Sequence, residues 1–238
     1  MPAPFGRRQG ARAGDLRCQY RRPGFASADS KGQWTGLDVD TCRAVAAAVL
    51  GDAQKVKFVP LSSPQRFTAL QSGEIDILSR NTTWTLTRDA SQGAVFAAIN
   101  YYDGQGFMVP KKLGVKSAKQ LNGATVCLQS GTSSVQAMAD YFAANNMKYK
   151  PVMFDTTEAT QSAFISGRCQ VYTTDMSDLA GAVRAPAIRL ILKFCRKPFP
   201  RNRLAPPCAA VTTNGSRSSA GLSTLWLKLK KMASPSQC

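Results

Sequence analysis

The 238-residue sequence contains no histidine. This absence excludes the commonest general base, the usual catalytic triads and every histidine-based metal site. Seven cysteines are present, but none forms a C-x-x-C pair, so zinc-ribbon and thioredoxin-type motifs are missing as well. No apolar run approaches the roughly 18 residues that a membrane-spanning helix requires. The first 30 residues are rich in Arg and Pro and lack the apolar block of a secretory signal.

Acidic residues are also unevenly distributed. The chain carries a formal net charge of +17, yet no Asp or Glu follows Asp178, whereas 11 Lys or Arg do. Residues 1–28 hold six Arg and one acid, while residues 29–178 are nearly neutral, with 14 basic and 13 acidic side chains. A basic chain suggests nucleic-acid binding, but folded surfaces usually mix both signs of charge. We therefore place the fold in the middle of the chain and predict no specific nucleic-acid partner.

The middle of the chain alternates helix and strand signals. Apolar spacing, capping residues and glycine stops predict two groups of elements. The first group is a helix at 40–50, a strand at 55–60, a helix from Ser63-Pro64 to Gly73 and a strand at 74–78. The second group is a strand at 124–129, a helix through Phe142, a strand at 151–154, a helix at 157–166 and a strand at 169–173.

This βαβ order implies largely parallel sheets. The two α/β groups are joined by a strand-like connector at 101–109, which predicts two lobes with a cleft between them. We assign 23–106 to lobe 1 and 107–188 to lobe 2, with aberrant basic ends at 1–22 and 189–238.

The polar run at 79–89 comes after a predicted strand, where open α/β sheets usually bind ligands. It contains Asn81, Thr83 and Arg88. An arginine surrounded by neutral donors suits a small carboxylate, because the guanidinium binds both oxygens at once. The alternative is a polar loop with a solvated arginine.

Two further spots suggest a ligand with both charges. Gly131-Thr132-Ser133 opens a helix directly after a strand, and a helix N-terminus favours an anion. Asp175 ends the next strand, so together these groups suit a zwitterion. Alternatively, Thr132, Ser133 and Asp175 are only helix caps.

The cysteines within the middle leave the redox state open. Cys127 and Cys169 lie on predicted core strands or beside them. A bridge between them would indicate an oxidising compartment, but two buried thiols are an equal alternative.

Several stretches resemble the polar-amino-acid family of solute-binding proteins of ABC uptake systems. The resemblance covers roughly 23–184 and rests on motifs at 36–44, 67–76 and 81–88, while 101–109 and 167–175 are similar to general L-amino-acid-binding proteins. It implies a bilobal periplasmic-binding-protein-like fold of type II that closes on one L-amino acid in the periplasm and delivers it to an inner-membrane ABC permease. A monomer without cofactor, metal or catalytic activity is expected.

The resemblance also implies roles for particular residues. Arg88 would hold the α-carboxylate and Asp175 would pair with the α-ammonium. Ser63 occupies a position where narrower relatives place an apolar or aromatic side chain over the ligand. The implied ligand-binding set is Asn81, Thr83, Arg88, Thr132, Ser133, Asp175 and Ser63, with Cys127 and Cys169 as a candidate disulfide.

Both ends of the chain depart from this family. Residues 17–22 and 211–226 can be encoded by codons that, read one base out of register, restore the family's expected first strand and acidic C-terminal region. We hypothesise that both ends are out-of-frame translation, so that the basic tail replaces the segment that returns to lobe 1 in this family. The fold would then be incomplete, the chain poorly stable and Cys42 without a dependable partner. The alternatives are an amino-acid-precursor dehydratase on the same fold and a non-functional remnant.

Overall fold

The computed structural model describes residues 16–18, 24–182, 188–191 and 208–214. The chain divides into two compact units. The first unit takes the described residues within Met1–Leu61, Phe67–Tyr101 and Cys208–Cys238. The second unit contains those within Ser62–Arg66 and Tyr102–Pro207. Residues 62–66 therefore belong to the second unit, although the helix that begins at Arg66 otherwise lies in the first.

The first unit contains short strands, three helices and a three-stranded sheet in the order β5-β12-β6. Its elements are β1 Leu16–Cys18, β2 Ser27–Ala28, β3 Trp34–Thr35, α1 Leu37–Leu50, β4 Val56–Phe58, α2 Arg66–Ser72, β5 Ile77–Thr83, α3 Leu86–Ser91, β6 Ala94–Tyr102 and β12 Cys208–Asn214. Phe67, Leu70, Ile75 and Leu78 form one part of its core.

Helix α1 begins three residues before the predicted position and ends at Gly51, as the sequence indicates. Its start is fixed by Phe25, whose carbonyl accepts the N–H of Asp38 at 2.9 Å. Gly36, just before the helix, has φ +123°, and a Cβ there would lie 2.4 Å from the Phe25 oxygen. The early start therefore depends on a contact between segments, which helical periodicity does not reveal.

Strand β5 differs more from its prediction, because it runs through the polar residues 79–83 instead of ending at residue 78. Ser79, Arg80, Thr82 and Thr83 are buried within it. β12 pairs antiparallel with β5, opposing Val211 to Ser79. Since a neighbouring strand takes up the backbone groups, the polar run extends the strand and does not form the predicted loop.

Strand β12 lies in the tail that we expected not to return to the first lobe, and β1 lies in the basic N-terminus, where it pairs in parallel with β4. Backbone N–H and C=O groups are the same in almost every residue, so such pairing does not require the family's side chains. The remaining residues of 1–22 and 192–238, on which the out-of-frame hypothesis mostly rests, lie outside the described ranges.

The second unit is built on a mixed five-stranded sheet in the order β11-β7-β10-β8-β9. Its elements are β7 Gln105–Pro110, β8 Thr125–Gln129, α4 Ser133–Ala144, β9 Lys150–Phe154, α5 Thr157–Ile165, β10 Val171–Asp175, α6 Met176–Ala182 and β11 Ile188–Ile191, with short 3₁₀ helices at Lys111–Leu113 and Ala118–Gln120.

The sheet of the second unit is only partly parallel. β8, β9 and β10 run parallel, as the βαβ order predicts, whereas β7 and β11 run antiparallel to their neighbours. The chain enters this unit through β7 and not through a helical crossover, so the parallel rule does not apply to that strand.

Two apolar layers cover the sheet of the second unit. Phe107, Val126, Leu128 and Phe142 belong to one of them, and burial raises the pKa of the neighbouring Tyr141 phenol. The other layer contains a disulfide between Cys127 and Cys169, whose Cα atoms are 5.6 Å apart.

Cys42, buried on α1, is also disulfide-bonded, which differs from the expectation that it lacks a dependable partner. None of the described helices is both long and apolar enough to cross a membrane.

Candidate functional site

In the first unit, Arg88 is a buried cation with a defined orientation. Thr85 caps α3 by accepting the N–H of Arg88, which places this arginine in the first turn. The guanidinium donates from Nη1 to the carbonyl oxygen of Thr83 at 2.9 Å and lies 5.3 Å from the ring centroid of Phe67. Only 9% of Arg88 is exposed, so the alternative of a solvated arginine on a loop is wrong.

Asn81 and Thr83 lie on β5, close in sequence to this arginine. Asn81 is half-buried, and its Oδ1 accepts from Nε of Arg80 at 3.0 Å. Arg80 also donates to the carbonyl of Leu61 at 3.4 Å and is 3% exposed. Buried guanidinium, amide and hydroxyl groups on one strand and the following helix match the chemistry of a carboxylate site.

Arg80 and Asp38 are buried charged residues that sequence reasoning did not single out. Asp38 lies in the first turn of α1, where its carboxylate accepts from Nδ2 of Asn100 at 3.3 Å. The only signal for Arg80 was a charged residue next to a strand predicted to be buried. The signal for Asp38 was an acid at a helix start, which also occurs in ordinary surface helices.

In the second unit, Gly131, Thr132 and Ser133 form the turn that leads into α4. Gly131 has φ +70°, a conformation that glycine adopts without strain. The hydroxyl of Thr132 donates to the carbonyl of Gln129 at 2.7 Å, so the threonine hydroxyl stabilises the turn and not the helix end. The proposed role of Thr132 as a simple helix cap therefore does not describe this contact.

The segment containing Ser63 packs directly on this turn. A Cβ on Gly131 would lie 3.0 Å from the Cα of Pro64 and 3.2 Å from the carbonyl carbon of Ser63. Arg66, which is 1% exposed, donates from Nη2 to the carbonyl of Gly131 at 2.9 Å. The structure thus brings Ser63 next to the predicted anion-binding turn, and it adds Arg66, which the sequence did not indicate.

Asp175 ends β10 and is buried, at 8% exposure. The first two N–H groups of α6 bind to segment 103–104: Met176 donates to the carbonyl of Gly104 at 2.7 Å, and Ser177 donates to Oδ1 of Asp103 at 3.2 Å. Asp103 also accepts from the Ser177 hydroxyl. Asp103 therefore supplies a cap at the start of α6 that the sequence did not indicate.

The candidate residues supply cationic and anionic groups on rigid elements of their own units. Within the described part of the chain, no group of three or more acids and cysteines is arranged to hold a metal ion. The chemistry offered is charge-assisted hydrogen bonding, which recognises a small polar or zwitterionic molecule.

These features define a class. Residues 18–203 match the model of the bacterial extracellular solute-binding proteins, family 3, and the chain belongs to this family. Its fold is therefore the expected bilobal periplasmic-binding-protein fold, with two α/β units.

Two relatives in this class are named for the amino acids that they bind. The chain is 55% identical over 170 residues to the general L-amino acid-binding periplasmic protein AapJ of Rhizobium johnstonii, covering 71% of this chain and 48% of AapJ. It is 56% identical over 159 residues to the glutamate/glutamine/aspartate/asparagine-binding protein BztA of Rhodobacter capsulatus, covering 67% and 47%. The chain thus spans about half the length of the curated relatives it matches.

A solved structure supports the same class. An ABC transporter/periplasmic binding protein from Brucella ovis with glutathione bound superposes with a TM-score of 0.78 at 45% identity. The match covers 90% of this chain and 66% of the Brucella chain.

Proposed function

We propose that this chain is the substrate-binding component of an amino-acid ABC transporter, which binds an L-amino acid and delivers it to an inner-membrane permease. The observation that carries the proposal is Arg88: a buried guanidinium, oriented by the Thr83 carbonyl and the Phe67 ring, at the start of a helix. The names of AapJ and BztA support the ligand class.

In this proposal Arg88 binds the α-carboxylate, with help from Asn81, Thr83, Thr132 and Ser133. Asp175 pairs with the α-ammonium, and its burial strengthens that pairing. A residue as small as Ser63 at its position suits ligand side chains of different size. The protein works in the periplasm as a monomer.

Glutathione in the Brucella structure is informative about the recognised group. Its γ-glutamyl end carries a free α-ammonium and a free α-carboxylate, the same two groups as a free amino acid. We therefore propose that the α-amino-acid head is the common determinant, and that the side chain contributes less.

We propose binding without catalysis. An amino-acid-precursor dehydratase would need an acid or base that moves a proton at the substrate. Asp175 is assigned to the ammonium group, and the chain has no histidine. Liquid chromatography should therefore recover an amino-acid precursor unchanged after incubation with the protein, and appearance of a new product would contradict the assignment.

The test is calorimetric titration of the full chain with L-glutamate, L-glutamine, L-alanine, L-arginine and glutathione. D-glutamine, N-acetyl-L-glutamine and the α-amide of L-glutamine are the controls. We expect free L-amino acids to bind and all three controls to bind at least about tenfold more weakly, because each disturbs one charged contact. Failure of every L-amino acid to bind would overturn the proposal.

A further inference from the structure

Three buried polar side chains in the second unit form a hydrogen-bond network. Gln105 is the first residue of β7, Ser134 is the second residue of α4, and Thr173 lies in the middle of β10. They are 2%, 2% and 1% exposed. The Ser134 hydroxyl donates to Oε1 of Gln105 at 3.0 Å, and Nε2 of Gln105 donates to Oγ1 of Thr173 at 2.7 Å.

The direction of each hydrogen bond in this network is determined. The Thr173 hydroxyl has one proton, which it donates to the carbonyl of Gly106 at 2.7 Å. It must therefore accept from Gln105, which places the amide nitrogen toward Thr173 and the amide oxygen toward Ser134. A rotated amide would set two acceptors against each other, so the Gln105 side chain has one favourable orientation.

This hydrogen-bond network connects the two parts of the second unit that carry candidate ligand groups. Ser134 follows Thr132 and Ser133 at the start of α4, and Thr173 lies two residues before Asp175 on β10. Residues two apart on a strand point to the same face. Gln105 also opposes Asp175 directly in the β7–β10 register.

The neighbouring backbone ties α6 to the same place. A Cβ on Gly106 would lie 2.7 Å from Cδ1 of Leu179, so α6 packs against this segment with no space for a side chain. Gly104 accepts the first N–H of α6. The segment 103–106 therefore fixes where β10 ends and α6 begins.

We infer that Gln105 is a positioning residue that holds the first turn of α4 and the Asp175 end of β10 at a fixed separation. The inference rests on the proposed function, because it assigns Gln105 to the preorganisation of that ligand site. Binding gains from groups that need no ordering when the ligand arrives. Loss of the amide would remove the acceptor of the Ser134 hydroxyl and the donor to the Thr173 hydroxyl, and would allow both segments to shift.

The experiment compares Gln105→Met with Gln170→Met in the full chain. Gln170 is exposed, and its side chain accepts one N–H, that of Thr125, at the far end of β10 from Asp175. L-glutamine is the probe because its side chain carries no charge, so the charged contacts it makes are those of its α-carboxylate and α-ammonium groups. We expect Gln105→Met to weaken binding by about tenfold or more, and Gln170→Met by less than about twofold.

A conservative pair separates positioning from packing. Thr173→Val keeps the shape but removes the hydroxyl, whereas Thr173→Ser keeps the hydroxyl. We expect the serine variant to recover most of the affinity that the valine variant loses. Equal loss in both variants would indicate packing and overturn the inference, and so would unchanged affinity in Gln105→Met.

Hydrogen exchange provides a measurement that needs no ligand. Gln105→Met should speed amide exchange both at 133–136 and at 174–177, while Gln170→Met should not. If the wild-type chain fails to bind any amino acid, the proposed function fails, and the exchange data still test Gln105. Faster exchange at one segment alone, or at neither, would overturn the positioning role.

Discussion

At the scale of single residues, the buried arginines show how the chain accommodates charge. Arg66, Arg80 and Arg88 are 1%, 3% and 9% exposed. Each donates to a backbone carbonyl, of Gly131, Leu61 and Thr83 respectively. Each of these hydrogen bonds holds a guanidinium in a defined orientation inside the fold.

Arg88 and Arg168 form a matched pair for testing the ligand role. Both guanidiniums lie 5.3 Å from a ring centroid, of Phe67 and Phe154 respectively, but Arg168 is exposed. We expect Arg88→Met to weaken L-glutamine binding by at least about tenfold, through loss of a charge-assisted contact. Arg168→Met should leave the affinity measured by calorimetry unchanged, and equal losses would argue against the role of Arg88.

Gly106 and Gly181 form a second matched pair, for stability. A Cβ on Gly106 would meet Leu179 at 2.7 Å, whereas one on Gly181 would meet nothing within 4 Å. Gly106→Ala should destabilise the fold by about 1–3 kcal/mol through overpacking. Gly181→Ala, on α6, should stabilise it by up to about 1 kcal/mol because alanine favours helix. Urea denaturation measures both, and a harmless Gly106→Ala would contradict the close packing.

At the scale of elements, sequence patterns predicted four of the helices and the strands between them, but they misjudged β5 and did not predict α3, β6 or α6. The helix α5 begins at Thr157, where the sequence placed it, and the structure shows Thr156 as its N-cap. β5 was placed at 74–78 because residues 79–83 are polar, yet the strand spans Ile77–Thr83. Local composition could not show that β12 pairs along this run.

The Cys127–Cys169 disulfide joins β8 to the segment just before β10 across 42 residues. Closing a loop of this length restricts the unfolded chain, and replacing both cysteines by alanine should cost about 3–5 kcal/mol. Denaturation of the double variant, compared with the oxidised wild type, tests this value. Reduction of the wild type is a weaker control because Cys42 is disulfide-bonded as well. Unchanged stability of the double variant would refute the expectation.

At the scale of the whole molecule, the charge distribution places the fold in the near-neutral middle of the chain, whereas the family match extends beyond it. The family match at 18–203 reaches into the basic tail, which has no acid after Asp178. We propose that both ends are out-of-frame translation. Lobe 1 was predicted to end at residue 106, whereas the compact units divide between Tyr101 and Tyr102, so Gln105 and Gly106 belong to the second unit.

This proposal predicts the outcome of resequencing the coding DNA around the codons for Arg17 and Ile188. We expect single-base shifts that restore the family's first strand and an acidic C-terminal region. The repaired protein should unfold at a higher temperature than the chain as written, because mixed surface charge and the family's own first strand and C-terminal region are restored. A confirmed frame, or a repaired protein that unfolds at no higher temperature than the chain as written, would contradict the proposal.

The sequence by itself determined the α/β class, the family and most of the candidate residues of the site, because these depend on local periodicity and short motifs. The identity of Arg88 followed from its motif, but its burial and its contact with Phe67 did not. Tertiary structure alone decided the extension of β5, the capping of α6 by Asp103 and the path from Ser134 through Gln105 to Thr173. Those features join residues far apart in the chain, and no local pattern specifies which distant backbone or side chain will satisfy a buried polar group.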